Sequence, residues 1–438
     1  MAEALSWGRY PRASQQVAVA FWAHELPALL AGAAPLLPRG LGRSYGDSCL
    51  NEGGTLLDCS RLDRFIAFDA REGVLECEAG ATLGDILRFA LPRGFFLPVV
   101  PGTQRVTVGG AIANDVHGKN HHQAGTFGRH VRDFTLLRSD GSAQACSPTQ
   151  NEGLFRATIG GLGLTGLVSR AALRLRPIRS AFMDVESIPF DDLEGFFRIE
   201  AESTPHWEYT VAWVDCANRA TLGRGIFQRA RHVDADDGSL AQADMGRARP
   251  IPFDFPDLAL SAPLVRTFNS AYWRLHPRGL RRMRAGKFLF PLDALLDWNR
   301  IYGRRGFLQF QCVVPHAGAA DALARLLHAA AESGQGSFLS VLKTFGDVPS
   351  PGLLSFPRPG VTFALDFPMK GAATLELMAR LEAIVIEAQG AIYPAKDARM
   401  SPRAFRESFP RLAEFEPYVD PAFSSGLWRR VHEGEAHG

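Results

Sequence analysis

Apolar and polar residues alternate over 60–68 and again over 73–79, which predicts two half-buried strands. Thr82 precedes the next apolar run and Asp85 follows three positions later. That pairing marks an N-capped helix reaching about Leu91, ended by Pro92, Arg93 and Gly94. Alternation returns from Ala171 to Arg176 and closes at Pro177. The stretches 207–214 and 306–315 are rich in aromatic and β-branched residues and read as strands. Helices are predicted over 293–300, 319–333 and 374–389. The last carries Leu375, Met378, Leu381, Ile384 and Val385 as a stripe and stops at Gly390. Ser401 and Pro402 suit the N-cap and first position of a C-terminal helix. Residues 218–266, rich in Arg, Asp, Gly and Pro, read as one long loop.

Two textures emerge: a glycine-rich, strand-like stretch over 34–180 and a different one over 181–390. A length of 438 residues suits two or three domains. An apolar share of 46% and a charged share of 21% belong to a globular chain. The net charge of +2 argues against a chain-wide nucleic-acid binder. No apolar run approaches the ~18 residues of a membrane helix, and no signal peptide is read, so a cytoplasmic location is expected. The six cysteines form no Cys-x-x-Cys pair and read as buried free thiols.

Three glycine clusters carry the chemistry. The first is Pro38-Arg-Gly-Leu-Gly-Arg-Ser-Tyr-Gly-Asp47. Its glycines let backbone N–H groups approach a ligand, and its arginines suit a diphosphate; an ordinary turn between strands is the alternative. The second, Pro101-Gly-Thr-Gln-Arg-Val-Thr-Val-Gly-Gly-Ala-Ile-Ala113, is made of small residues that can lie against a planar ring. It runs on to His117, His121 and His122, which do not make the ligand set that zinc needs, so no metal is expected. The third, Gly160-Gly-Leu-Gly-Leu-Thr-Gly166, matches G-x-G-x-x-G literally. A strand-like alternation follows it instead of a helix, so a Rossmann fold is rejected.

The order of the three clusters resembles the FAD-binding domain of the vanillyl-alcohol oxidase superfamily. Within it, His117-Gly-Lys-Asn-His-His122, Gly306-Phe-Leu-Gln-Phe-Gln311, Ser337-Phe-Leu-Ser-Val-Leu-Lys343 and Ala395-Lys-Asp-Ala-Arg399 are similar to the decaprenylphosphoryl-ribose 2-oxidase family. The likeness spans nearly the whole chain and weakens over 218–285. It implies an α+β protein of two domains: a PCMH-type FAD-binding domain, 1–180 completed by 391–438, and an antiparallel-sheet substrate domain with flanking helices, 181–390.

It also implies non-covalent FAD. Arg39, Gly40, Gly42, Arg43, Ser44, Tyr45, Gly46, Pro101, Gly102 and Thr103 would hold the diphosphate. Val108, Gly109, Gly110, Ala113, His117, Gly118, Gly163, Gly166, Val168 and Tyr393 would line the flavin and adenosine. Lys119, Tyr209, Trp213, Tyr302, Gln309, Gln311, Lys343 and Thr362 would meet the sugar. Lys396, Tyr45 and His117 would be catalytic, with Lys396 supporting the reduced flavin and Tyr45 or His117 moving the hydroxyl proton. Without the resemblance, Lys396 reads as a surface partner of Asp397.

The implied reaction is oxidation of the 2-hydroxyl of a polyprenylphosphoryl ribose, with an NAD(P)H-dependent short-chain reductase as partner. An aldonolactone or alditol oxidase, or a flavin-binding protein without turnover, are the alternatives. The family's mycobacterial type has a cysteine where this chain has Ala364 and an asparagine where it has Thr362. The basic run Arg274, His276, Arg278, Arg281, Arg282, Arg284 and Lys287 reads either as a contact for phosphate or anionic lipid, with peripheral attachment to the inner membrane, or as a solvated loop.

Overall fold

A computed structural model describes residues 4–31, 35–242 and 248–432. Near the N-terminus, β1 (Gln16–Val19), β2 (Leu36–Arg39) and β3 (Thr55–Asp58) form a parallel sheet in the order β1-β3-β2. Next to it, β4 (Phe65–Asp69), β5 (Val74–Glu78), β6 (Val131–Leu137), β7 (Ala143–Cys146) and β8 (Leu167–Arg174) form an antiparallel sheet in the order β4-β5-β8-β6-β7. The strand expected over 60–68 therefore begins only at Phe65. Strand β8 follows the third glycine cluster directly, as the rejection of a Rossmann fold requires.

Helix α1 (Leu83–Ala90) starts where its capping box placed it. The Thr82 hydroxyl accepts from the Asp85 N–H at 3.0 Å, and Gly94 past its end takes φ +78°. A second short helix was not foreseen: α2 (Val108–Ala113) lies inside the second glycine cluster, capped by Thr107. Two glycines in its first turn weigh against a helix. Packing of Val108, Ala111 and Ile112 in the core outweighs that propensity.

The second half is one large antiparallel sheet. Its strands are β9 (Phe182–Phe190), β10 (Tyr209–Val214), β11 (Gly225–His232), β12 (Gly279–Arg284), β13 (Phe307–Val314), β14 (Ser340–Phe345), β15 (Gly360–Pro368) and β16 (Ala391–Ile392). Their order is β12-β9-β11-β10-β14-β15-β13-β16. On one face Leu308, Phe310, Cys312, Leu342, Phe363 and Leu365 pack against α3 (Leu193–Ser203), α5 (Ala319–Glu332) and α6 (Ala372–Glu387). Alternation then turns Gln309, Gln311, Val341, Lys343, Thr362 and Ala364 to the other face.

Two expectations fail here. The long loop over 218–266 contains β11, whose Gly225, Ile226 and Phe227 pair on both sides with β9 and β10. The helix expected over 293–300 is instead a 3-10 turn, a two-residue strand and another 3-10 turn, because Asp297 takes φ +53° and Leu295 and Leu296 pair with Arg249 and Pro250. The basic run is also not a free loop. It ends α4 (Ala262–Leu275) and forms the edge strand β12.

The C-terminal segment serves both halves. Residues 391–392 extend the large sheet, and α7 (Pro402–Ser408) and α8 (Gly426–His432) pack into its helix-covered core. Ser424 N–H meanwhile donates to Leu36 O of β2, and Arg430 reaches back to Asp47.

Candidate active site

Between the glycine clusters and the open face of β13–β15 lies a cavity of about 360 Å³. Its two ends are built differently. At the first, the loop after β2 presents backbone. Among the described residues, the N–H groups of residues 40–44 and of Gly102 and Thr103 have no acceptor. Gly42 takes φ +60°, and a side chain at Gly40 would collide with Thr107. The Nε atoms of Arg39 and Arg43 are buried without a partner, and Arg43 stacks 4.1 Å from the centre of the Trp7 ring. Unspent N–H donors and guanidinium groups around one space fit a diphosphate.

The segment 291–298 closes this end. Asp293 accepts from Thr103 Oγ1 at 2.6 Å and from the Gln104 N–H at 2.8 Å, while Leu292, Leu295, Leu296 and Trp298 add apolar wall. Gly109, Gly110, Ala113, Gly163, Gly166 and Val168 line the middle. The N–H groups of Val108 and Gly109 donate to Ala81 and Ala79, and that of Gly110 to Thr107 Oγ1, so this wall offers shape rather than amide donors.

At the second end, side chains converge. Gln311 Nε2 stands 3.0 Å from His117 Nε2 and 3.2 Å from Thr362 Oγ1. With both amide hydrogens spent there, Gln311 keeps its carbonyl oxygen for a ligand hydroxyl. Burial, with the Lys343 charge nearby, holds His117 neutral by pushing its pKa well below the usual range. Lys343 donates to Gly118 O at 3.2 Å, and burial lowers its pKa to about 7. Tyr393 lines the wall beside His117, its hydroxyl donating to Asn114 O at 3.0 Å.

Lys396 lies 3.9 Å from the centre of the Tyr45 ring. It is placed by the Tyr45 N–H, which donates to Ala395 O at 2.9 Å. Gly46 allows that approach: a Cβ there would sit 1.9 Å from Asp397 O. Asp397 is engaged by Arg430, whose guanidinium also binds Asp47, and by the N–H groups of Arg399 and Met400. The reading of Lys396 as a surface partner of Asp397 therefore gives way. Burial lowers the Lys396 pKa, and the nearby Asp366 carboxylate opposes that shift.

Asp366 escaped the sequence reading. It is buried, accepts from Gln309 Nε2 and from Tyr302 Oη at 3.4 Å, and burial raises its pKa. Strand alternation from Thr362 and Ala364 is the signal that would have found it.

Several expected contacts lie off the cavity wall. Val108 packs into the core through its side chain. Gly118 contributes only the carbonyl that receives Lys343, and Gly46 only its lack of a side chain. Lys119 turns away and donates to the carbonyls of Phe288 and Leu289. Tyr209 is buried against Phe288 and His232. Trp213 donates to Phe338 O and packs on Tyr272. Both sit on β10, one strand beyond those that line the cavity. Tyr302 is stacked between Phe307 and Phe338 and reaches the site only through Asp366. His121 packs against Phe345 and His122 bonds Trp207 O, so the histidines diverge.

Backbone donors at one end and a polar pocket at the other describe a dinucleotide-cofactor oxidoreductase. The first domain confirms the class: residues 24–147 match the family model described as FAD binding domain. The chain is 36% identical to decaprenylphosphoryl-beta-D-ribose oxidase of Mycolicibacterium smegmatis, over 91% of this chain and 90% of that protein. It is 35% identical to an uncharacterized protein of Streptomyces coelicolor over 80% of this chain and 99% of that protein. It is 29% identical to cytokinin dehydrogenase 10 of Oryza sativa, over 43% of this chain and 36% of that protein. The chain belongs to the family of the decaprenylphosphoryl-beta-D-ribose oxidase, with FAD as its cofactor and the expected PCMH-type α+β fold.

Proposed function

We propose that this oxidoreductase converts the 2-hydroxyl of a polyprenylphosphoryl-β-D-ribose to the 2-keto sugar. The supporting observation is the second end of the cavity, where Gln309, Gln311, Lys343 and Thr362 stand on one face of a sheet whose other face is apolar, with Lys396 lining the same cavity. The relative named for that substrate class matches nine-tenths of the chain, this sheet included. Residues 1–180 with 391–438 are assigned to the cofactor and 181–390 to the sugar.

When bound, FAD supplies the acceptor for the hydride, and so for both electrons, that leaves the sugar carbon. The protein's task is the hydroxyl proton and the geometry. Tyr45 is buried and its pKa is pushed well above the phenol range, so it stays protonated and serves as a donor. Neutral His117 is the acceptor: a sugar hydroxyl displacing the Gln311 amide meets the Nε2 lone pair. The Lys396 ammonium offsets negative charge gathering at its side of the cavity. The cofactor is taken to be held without a covalent bond, and acid precipitation should release it into solution. The keto sugar regains an alcohol only from a second hydride donor, so an NAD(P)H-dependent short-chain reductase is the proposed partner.

The test is an anaerobic substrate screen on the FAD-loaded protein. Farnesylphosphoryl ribose should bleach the oxidised-flavin band near roughly 450 nm, and gulonolactone and xylitol should not. Bleaching by either soluble compound alone would replace this reading with an aldonolactone or alditol oxidase. Bleaching by none would leave a flavin-binding protein without sugar turnover.

A further inference from the structure

Large apolar side chains left in solvent are unevenly distributed. Six of the twelve in the described residues lie between 253 and 280: Phe253, Leu258, Leu264, Phe268, Leu275 and Leu280, each at least half exposed. Leu264, Phe268 and Leu275 are spaced by four and seven residues on α4, which puts them on one face of the helix. The buried side of the same helix, through Val265, packs into the aromatic cluster of Tyr45, Trp298, Tyr302 and Phe307 behind the cavity. The exposed ridge is thus the outer surface of an element whose inner surface supports the site.

Charge is just as uneven. Residues 262–287 contain six arginines, one lysine and no Asp or Glu, in a chain whose net charge is only +2. The rest of the molecule is therefore net acidic. Among the described residues Arg266, Arg274, Arg278 and Arg281 make no ion pair, and each is exposed. An arginine-bearing edge strand on its own guards against pairing with another sheet. That explains Arg281 and Arg282 on β12 but not the apolar ridge on α4. Phosphate backbones of nucleic acid match the arginines and leave the leucines unexplained.

We propose that α4 and the start of β12 form a docking surface for a lipid bilayer containing anionic phospholipids. The leucines and Phe268 would enter the headgroup boundary and the arginines would meet the lipid phosphates. Bound this way, the chain would rest on the membrane with its site directly behind the contact. The inference does not depend on which sugar is oxidised.

The full-length FAD-loaded protein should co-sediment with vesicles of phosphatidylcholine and phosphatidylglycerol, and much less with phosphatidylcholine alone. Raising the salt should weaken binding. Leu264→Ser with Leu275→Ser should reduce vesicle affinity about tenfold or more at unchanged flavin content. Arg274→Gln should reduce it about fivefold. As a second readout, Leu275→Cys carrying an environment-sensitive fluorophore should shift to shorter wavelength when anionic vesicles are added. No vesicle binding, equal binding by the serine variant, an unshifted fluorophore, or binding to a DNA duplex but not to vesicles would each overturn the proposal. No sugar enters the assay, so its failure is distinct from a failure of the oxidation reading.

Discussion

The two ends of the cavity solve different problems with different materials. The diphosphate end is made of backbone: unspent N–H groups over residues 40–44 and 102–103, with glycines where side chains would collide. The sugar end is made of side chains on three neighbouring strands, each aimed by sheet alternation and held by its neighbours. A backbone wall holds a cofactor through N–H donors, and at Gly40, Gly42 and Gly46 it has no room for a side chain. Side-chain walls can be retuned one residue at a time, and here Ala364 and Thr362 stand on that wall.

The sharpest way to separate the ends is Lys396→Ala. Reduction of bound flavin by the ribose substrate should slow by about 10²–10⁴-fold while flavin content stays near wild type, as read by anaerobic stopped flow. Unchanged reduction would remove Lys396 from the mechanism. Gly46→Ala should blur the two ends instead. Its Cβ meets Asp397 O, so the loop must part from the lysine segment, costing about 1–3 kcal/mol. Both flavin retention and rate should drop, seen in the absorbance ratio and thermal midpoint. Loss of only one would show the two ends to be mechanically independent.

Asp366→Asn should act through Lys396. The carboxylate favours the charged amine, so removing it lowers the lysine pKa further. The basic limb of the rate–pH profile should move to lower pH, with about a tenfold loss near pH 9. An unmoved profile would reduce Asp366 to a structural role. Smallest is the effect of Lys343→Met on the cofactor-free protein. The native pKa of Lys343 is depressed to about 7, below the unfolded value, so the wild-type fold is penalised most below pH 7. That penalty fades as the pH rises towards the unfolded lysine range. The variant should melt higher than wild type near pH 6, with the gap closing towards pH 10.

The backbone end was the more legible in sequence for a physical reason. Close approach and positive φ admit little besides glycine, so Gly40, Gly42 and Gly46 advertise themselves. The sheet end depends on register between strands far apart in the chain. Gln309 and Gln311 could be placed on one face by alternation, yet nothing local says that β10 lies one strand too far out for Tyr209 and Trp213 to reach the cavity. Helix α2 was hidden by its glycines and is held by tertiary packing. Strand β11 was hidden by a polar composition that suits its place between β9 and β10. Asp366 was masked because its partners, Gln309 and Tyr302, come from other elements and meet it only through strand register.

Arg430 has a consequence for how the protein becomes competent. Its guanidinium, 383 residues along the chain from Asp47 of the first glycine loop, joins that carboxylate to Asp397 beside the reactive lysine. The cofactor loop lies early in the sequence, but the clasp that sets Lys396 over Tyr45 needs α8, far downstream of it. The cofactor loop and the lysine segment are therefore fixed relative to each other only once α8 has docked.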